Sequence, residues 1–446
     1  MPEYVTTLLA HAGTAGEDTV SALPADLDTW LDDNWDPDLT VGEWWERLGT
    51  SGWAAPHWPT EAFGMGLSNA EAAQVRRVFK ERGVLGPPGG LGLQLAGPTI
   101  YTHGTPEQVQ RHLPDILCGR RAWCQLFSEP VAGSDLAGLQ TRAERDGDEY
   151  RVNGQKVWTS AGHVADLGML IARTDPDAPK HRGITWFVLD MHQPGLDVRP
   201  LRELTGHALF NEVFLTDVAA READIVGGLG NGWSVTKTTL AFERAGLGAG
   251  SSGAGESSAY PGTVAGHLER RAGDFVKPPS AKRAPSLSVD PDRVVELARA
   301  RGAATDPLVR QCLARLHTEQ QIARYMVLRN KDLRARRSEV PGMGNIAKLR
   351  MSAMFRQVRE LGLELLGARG MLHDYGDGSG PATGLPADLE DRARATTAVA
   401  LWSPAPSIYG GTDEVQRNIL AERILGLPRD SSDDTTLPFR EVPRNV

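Results

Sequence analysis

Three observations predict an α+β chain that runs from helices to strands and back to helices. Up to about residue 120, segments such as TVGEWWERLG and SNAEAAQVRRVFKERG repeat apolar positions at helical spacing between Pro/Gly turns. From about 122 to 218 the period falls to two, in LGMLIART, GITWFVLDM and NEVFLTDVA, with DGDE and NG turns between short runs. Helical spacing then returns in DPDRVVELARA, RQCLARLHTEQQIARYMVLRNKDL and AKLRMSAMFRQVRELGLELLG. A chain of 446 residues exceeds one ordinary core. The expected parts are a helical domain over 1–121, a β domain over 122–230 and a helical bundle over 231–446.

Between the β domain and the later helices, residues 250–289 are rich in Gly, Ser and Pro. They offer little apolar surface to offset the entropy of ordering, so a mobile insertion is expected at about 251–289. The 48 basic and 57 acidic residues sum to −9, which disfavours nucleic acid or an anionic membrane as the main partner. Cys118, Cys124 and Cys312 are odd in number and lack a CxxC pair, as expected of a reducing compartment. The opening MPEYVTTLLAHAG lacks a basic leader with a long apolar run, and a cytoplasmic location without membrane insertion is expected.

Several familiar chemistries lack their residues. In GGLGNGW, Trp233 takes the place of the last glycine of a dinucleotide loop, and Thr236 stands where a phosphate loop needs glycine. No HExxH or paired ligand spacing supports a metal, and no GxSxG marks a nucleophile. CQLFSEPVAGSDLAG, residues 124–138, sets hydroxyls, an acid and small residues in a loop leaving a strand. KVWTSAG, residues 156–162, ends another strand with an aromatic and adjacent hydroxyls. Singly these read as turn and core residues; together they suit a planar heteroaromatic cofactor. SIYGGTDEVQRNILAERILGLP, residues 407–428, turns at Gly410 and Gly411 into an amphipathic helix with Thr412 as N-cap.

With LLGARGM at 365–371 and the NGW that opens the next helix, these segments resemble, in order, the acyl-CoA dehydrogenase family of flavoproteins. The resemblance implies an N-terminal α-helical domain, a central antiparallel β-barrel domain and a C-terminal four-helix bundle. It implies FAD as cofactor and an acyl-CoA thioester as substrate. By position, Gln125, Leu126, Phe127, Ser128, Gly133 and Ser134 would line the flavin, with Ser134 also near CoA. Trp158, Thr159 and Ser160 would flank its ring, and Thr412 and Glu414 would contact its adenosine part.

Many members place the catalytic glutamate directly after the tyrosine of IYEGT, but here Gly410 follows Tyr409. A minority place it on the first bundle helix before an arginine, and LAFERAGLG puts Glu243 and Arg244 there. The resemblance thus implies Glu243 as the α-proton base, with Arg244 holding substrate or geometry. The family's arginine followed by a Phe-Gly pair, which the resemblance places at a neighbouring subunit's FAD, has no clean match, leaving Arg270, Arg271 or Arg301 as substitutes. An oligomer follows, either a homo-dimer or tetramer or a hetero-oligomer in which this chain completes another chain's site. Electrons would pass to an electron-transferring flavoprotein, unless the chain is an oxidase or oxygenase on the same scaffold.

Overall fold

The computed structural model describes residues 23–248, 259–276, 291–336, 340–375, 387–429 and 433–443. The chain folds as two compact units. The first takes residues up to 201, then 210–281 and 433–446; the second takes 202–209 and 282–432.

The first unit begins with helices α1 (Leu23–Asn34), α2 (Val41–Ser51), α3 (Asn69–Glu81), α4 (Gly97–His103) and α5 (Pro106–Leu117). Three of them start on reciprocal caps, Thr40 with Glu43, Ser68 with Glu71 and Thr105 with Gln108, each pair satisfying two otherwise orphaned N–H groups. Trp44, Trp45 and Trp58 are fully buried among them. The indole N–H groups of Trp44 and Trp45 donate to the carbonyls of Leu85 and Gly86, at 2.7 and 2.9 Å, so burial leaves no polar cost there. At Gly49 a Cβ would lie 2.6 Å from Cys118 Sγ and 2.8 Å from the Leu117 carbonyl carbon, so only glycine lets α2 approach α5 this closely.

Eight strands follow: β1 (Trp123–Leu126), β2 (Arg142–Asp146), β3 (Glu149–Ser160), β4 (Leu167–Arg173), β5 (Ile184–Asp190), β6 (Leu196–Leu201), β7 (Phe210–Arg221) and β8 (Ile225–Val226). Their order is β6-β7-β3-β2-β4-β5-β8, with β1 on β4. The expected antiparallel barrel is therefore corrected to an open mixed sheet, in which β1 and β2 run parallel to β4. A barrel needs a continuous ladder with paired end strands. Here one residue pair, Arg142 with Arg173, joins the two halves, and β6 and β8 do not pair with each other among the described residues.

Helix α6 (Gly232–Gly248) folds with this unit, against β5, α4 and the π-helical turn Gly92–Ala96. Of the insertion expected to be mobile, 251–258 and 277–289 lie outside the described residues, whereas 259–276 is packed. Val41 and Gly42 N–H donate to the Arg270 and Leu268 carbonyls at 2.8 and 2.9 Å, and Ala272 N–H donates to the Leu39 carbonyl at 2.8 Å. The buried Asp166 carboxylate also receives the Thr263 N–H and hydroxyl. Backbone pairing thus adds to the packing of Ala259, Leu268, Ala272 and Phe275 against the core.

The second unit carries α7 (Pro291–Ala300), α8 (Pro307–Ala335), α9 (Met343–Leu366), α10 (Ala387–Trp402) and α11 (Asp413–Ile419). Helix α9 is its centre, in contact with all four others. Phe355, Val358, Leu361 and Leu365 on α9 form its buried face with Leu297, Leu316 and Leu389.

One buried ion pair joins the loop after β1 to the end of β3. Lys156 Nζ, fully buried, donates to Glu129 Oε1 at 2.8 Å and to the Phe127 carbonyl at 3.1 Å. Glu129 also receives the Gln140 and Thr141 N–H groups at 2.6 and 3.0 Å. Burial pushes the Glu129 carboxyl up, but Lys156 and these hydrogen bonds outweigh it and hold the group below the usual glutamate range. Lys156→Met, which strands a buried carboxylate, is expected to lower stability by about 3–5 kcal/mol in denaturant unfolding, and a Lys156→Met/Glu129→Leu double variant to recover much of it. Because the folded pKa of Glu129 is depressed, its contribution is present above the unfolded value of about 4.3 and is lost as pH falls through the folded one. Acid unfolding of Glu129→Gln is accordingly expected to depend less steeply on pH than that of the native chain.

Candidate active site

The two hydroxyl-rich loops meet. Val157 N–H donates to the Ser128 carbonyl at 2.9 Å, beside the Lys156–Glu129 pair. The β3–β7 register slips between Lys156 and Thr159, and within that bulge Trp158 takes a φ of 60°. A left-handed tryptophan is strained, and here the strain turns its ring outward. Trp158 is 57% exposed and stands edge-on to Phe210 with ring centres 5.6 Å apart. Ser128 and Ser160 are half-buried, and Gly133 and Ser134 are exposed. The buried Thr159 Oγ1 has no hydrogen-bond partner among the described residues. Leu126 and Phe127 differ from this pattern: both side chains are buried, Leu126 in the sheet core and Phe127 in the helical core, so only their backbone is left for a ligand.

Glu243 stands on α6. Gln125 Nε2, at the end of β1, donates to its Oε2 at 3.3 Å. Burial raises the Glu243 carboxyl pKa, opposed by the Gln125 hydrogen bond and the Arg244 charge. Arg244 itself is exposed. The helix is pinned on its N-terminal side, where Thr239 Oγ1 lies 3.0 Å from Thr99 Oγ1 and Thr238 Oγ1 lies 2.7 Å from His103 Nε2. Phe242, next to Glu243, packs edge-on to Tyr101, whose hydroxyl burial pushes up to about 12. π-helical turns such as Gly92–Ala96, which packs on α6, are frequent at functional sites.

A third feature escaped the sequence reading. Lys180, almost fully buried, donates to both carboxylate oxygens of Asp135 at 3.1 Å and also to Asp434. Asp135 neighbours Ser134, so the C-terminal segment braces the loop that carries it. Phe439 and Arg440 N–H donate to the Ala178 and Pro176 carbonyls at 3.0 and 3.1 Å, and the Arg173 guanidinium lies 3.3 Å from the Phe439 ring centre. Burial pulls that guanidinium down to about 10. Position in the chain gave no sign of this, because the tail's composition is that of a loose terminus.

In the second unit, Gly410 and Gly411 have φ of 62° and 81°, the left-handed turn that favours glycine. Gln416 Nε2 closes it on the Gly410 carbonyl at 2.8 Å, and Thr412 Oγ1 accepts the Val415 N–H at 3.1 Å as N-cap. Asp413 is buried against Lys348 and Arg356 at 3.2 and 3.1 Å, while Glu414 is exposed and pairs with Arg417. Of the three arginines considered for a diphosphate, Arg271 is ion-paired with Asp38, and Arg270 lies over the Phe275 ring at 4.7 Å. Arg301 Nε donates to the Leu365 carbonyl at 3.1 Å, beside the Gly367–Met371 turn. A cleft of about 440 Å³ near that turn is lined by Arg359, Leu363, Met371, His373, Tyr375 and Thr397. None of these was a sequence candidate.

An outward indole, the unpartnered Thr159 hydroxyl and two half-buried serines on one loop pair suit a planar ring with polar edges, so the donor set fits FAD. Among the described residues no cluster could hold a metal, and no helix is long and apolar enough to cross a membrane.

Comparison with known proteins gives the family. Residues 21–120 match the N-terminal domain of acyl-CoA dehydrogenase, residues 124–218 its middle domain and residues 291–425 its C-terminal domain. Acyl-CoA dehydrogenase IpdE1 of Mycobacterium tuberculosis is 36% identical over 389 residues, 87% of this chain and 88% of that protein. Acyl-CoA dehydrogenase FadE34 of the same organism is 50% identical over 203 residues, 46% of this chain and 28% of that protein. The solved Tcur3481-Tcur3483 steroid ACAD aligns with a TM-score of 0.63 at 26% identity, over 93% of this chain and 99% of that one. The ChsE4-ChsE5 complex of Mycobacterium tuberculosis aligns with a TM-score of 0.60 at 25% identity, over 94% of this chain and all of that one. On the match of all three domains and of a relative aligned nearly end to end, this chain belongs to the acyl-CoA dehydrogenase family, whose members are FAD-dependent oxidoreductases.

Proposed function

We propose that this chain dehydrogenates an acyl-CoA thioester to the trans-2-enoyl-CoA, with Glu243 as the base that takes the α-proton. The observation that carries this reading is the place of Glu243: half-buried, and hydrogen-bonded to Gln125 on the strand that leads into SEPVAGSD. A carboxylate deprived of water is a stronger base for a weak carbon acid than one in solvent. The α-proton goes to the Glu243 carboxylate, and the electron pair it leaves is shared with the thioester carbonyl. Bound FAD supplies the acceptor for the hydride leaving the β-carbon. Ser134, on the braced loop, binds the CoA portion, and the exposed Arg244 steadies Glu243 or the substrate. Trp158, Thr159, Ser160 and Ser128 hold the ring, the backbone of Leu126, Phe127 and Gly133 completes that wall, and Thr412 and Glu414 serve the adenosine part. The electrons pass on to an electron-transferring flavoprotein.

A two-chain assembly has its own support. No Phe-Gly pair follows Arg301 in ELARARGAATDP or Arg271 in LERRAGDF. Two similar solved structures are named as pairs of proteins, one of them a steroid ACAD. Steroid-type acyl-CoA thioesters are therefore the first substrates to mix with the protein under anaerobic conditions. A flavin band that bleaches with one of them identifies the substrate class. One FAD per chain establishes a self-sufficient site; half of that, or flavin retained only with an unlike chain, establishes a shared one.

Glu243→Gln is expected to keep its FAD and acyl-CoA binding, because the amide is nearly isosteric. Its flavin reduction by substrate is expected to slow by at least about 10²-fold, the contribution of a positioned general base. Undiminished bleaching would refute the assignment. Since the Glu243 pKa is raised and the base acts ionised, the reduction rate of the native enzyme is expected to fall with decreasing pH along a limb lying above the ordinary glutamate value of 4.5. Stopped-flow rates across pH check this, and a limb missing from that range would count against Glu243.

A further inference from the structure

Gln125 and Glu243 are 118 residues apart in sequence, yet the tip of one meets the tip of the other at 3.3 Å. Both sit on regular elements, the end of β1 and helix α6, each fixed by its own packing. A glutamate has a long and rotatable side chain, so a base on a helix needs a partner to hold it in a reactive pose. The partner must not take the proton itself. A carboxamide meets that requirement, because it donates without titrating.

We infer that Gln125 is the positioning residue of proton transfer, its amide holding Glu243 Oε2 so that Oε1 is left to receive the substrate α-proton. This rests on the reading of Glu243 as the base. Before transfer the amide donates to a charged oxygen, and afterwards the proton on Oε1 leaves Oε2 as a weaker acceptor of the same N–H. The electron pair of the broken C–H bond stays with the thioester, and the family's FAD supplies the oxidant. Because the bond is stronger to the anion, Gln125 also offsets the rise that burial imposes on Glu243.

The charges around Glu243 leave room for that effect. Of the main elements packed on α6, α4 carries Tyr101 and His103, β5 carries Asp190 at its end, and the turn Gly92–Ala96 carries no titratable group. Burial keeps the Tyr101 hydroxyl protonated and lowers the His103 pKa, which favours the neutral imidazole. Helix α6 itself contributes Lys237 and the adjacent Arg244.

The test compares the native holoenzyme with Gln125→Leu, Gln125→Glu and Glu243→Gln. Two quantities are read: the pH profile of flavin reduction by acyl-CoA, and the carboxyl titration of Glu243 in substrate-free protein by infrared difference spectroscopy, identified as the signal missing from Glu243→Gln. Gln125→Leu is expected to raise both midpoints by at least about one pH unit and to leave the rate on the alkaline plateau several-fold below that of the native enzyme, because an ionised Glu243 is then present but no longer held in place. Gln125→Glu, which places a second carboxylate against the first, is expected to raise them further. Should the leucine variant fail to fold, the near-isosteric glutamate variant decides. Unshifted midpoints with Glu243→Gln inactive would overturn the role of Gln125 alone. Full activity in Glu243→Gln would overturn the base assignment and this inference with it.

Discussion

The buried Lys156–Glu129 pair is the constraint on which the proposed cofactor face depends. Removing two ions from water is costly, and attraction alone seldom repays it. Here each ion also serves the backbone: Lys156 bonds the Phe127 carbonyl, and Glu129 bonds the N–H groups of residues 140 and 141. The pair therefore fixes two loops against each other, which an apolar pair of the same volume would do without directional bonds. The Ser128 carbonyl, the bulge at Trp158 and the start of β2 all take their positions from it.

Helix α6 brings Glu243, the proposed base, to that face. Its threonines tie it to α4, and Gln125 ties Glu243 to β1, so the carboxylate is held from both sides at a place where burial raises its pKa. On another edge Lys180 couples Asp135 to the C-terminal segment, giving the exposed Ser134 a braced neighbour. Each support comes from a different stretch of chain. The loop after β1 also anchors itself through buried Phe127, Leu136 and Leu139.

Local rules made much of this legible in sequence. Helix periods and the change to period two mark the helices and strands that form. Long-range pairing did not show. The sheet stays open because β2 meets β4 at one residue pair, which no alternation pattern encodes. Residues 259–276 look like a linker by composition but are held by backbone bonds to the loop before α2 and to its first turn. Phe439 and Lys180 were invisible because a cation, a ring and two acids far apart in sequence carry no shared signal. Trp158, Ser128 and Glu243 were proposed through an ordered resemblance, and the Gln125 contact emerged only in three dimensions.

The measurement that tests the central claim most directly is α-proton exchange, which isolates the base from the oxidation. An acyl-CoA analogue with no hydrogen on its β-position cannot be dehydrogenated, yet its α-protons can still be removed and replaced. Incubated with holoenzyme in deuterated buffer, it is predicted to gain deuterium at the α-carbon with the native chain and to gain none above background with Glu243→Gln. Equal deuterium uptake by the two proteins would contradict the account, because another group would then be taking the proton.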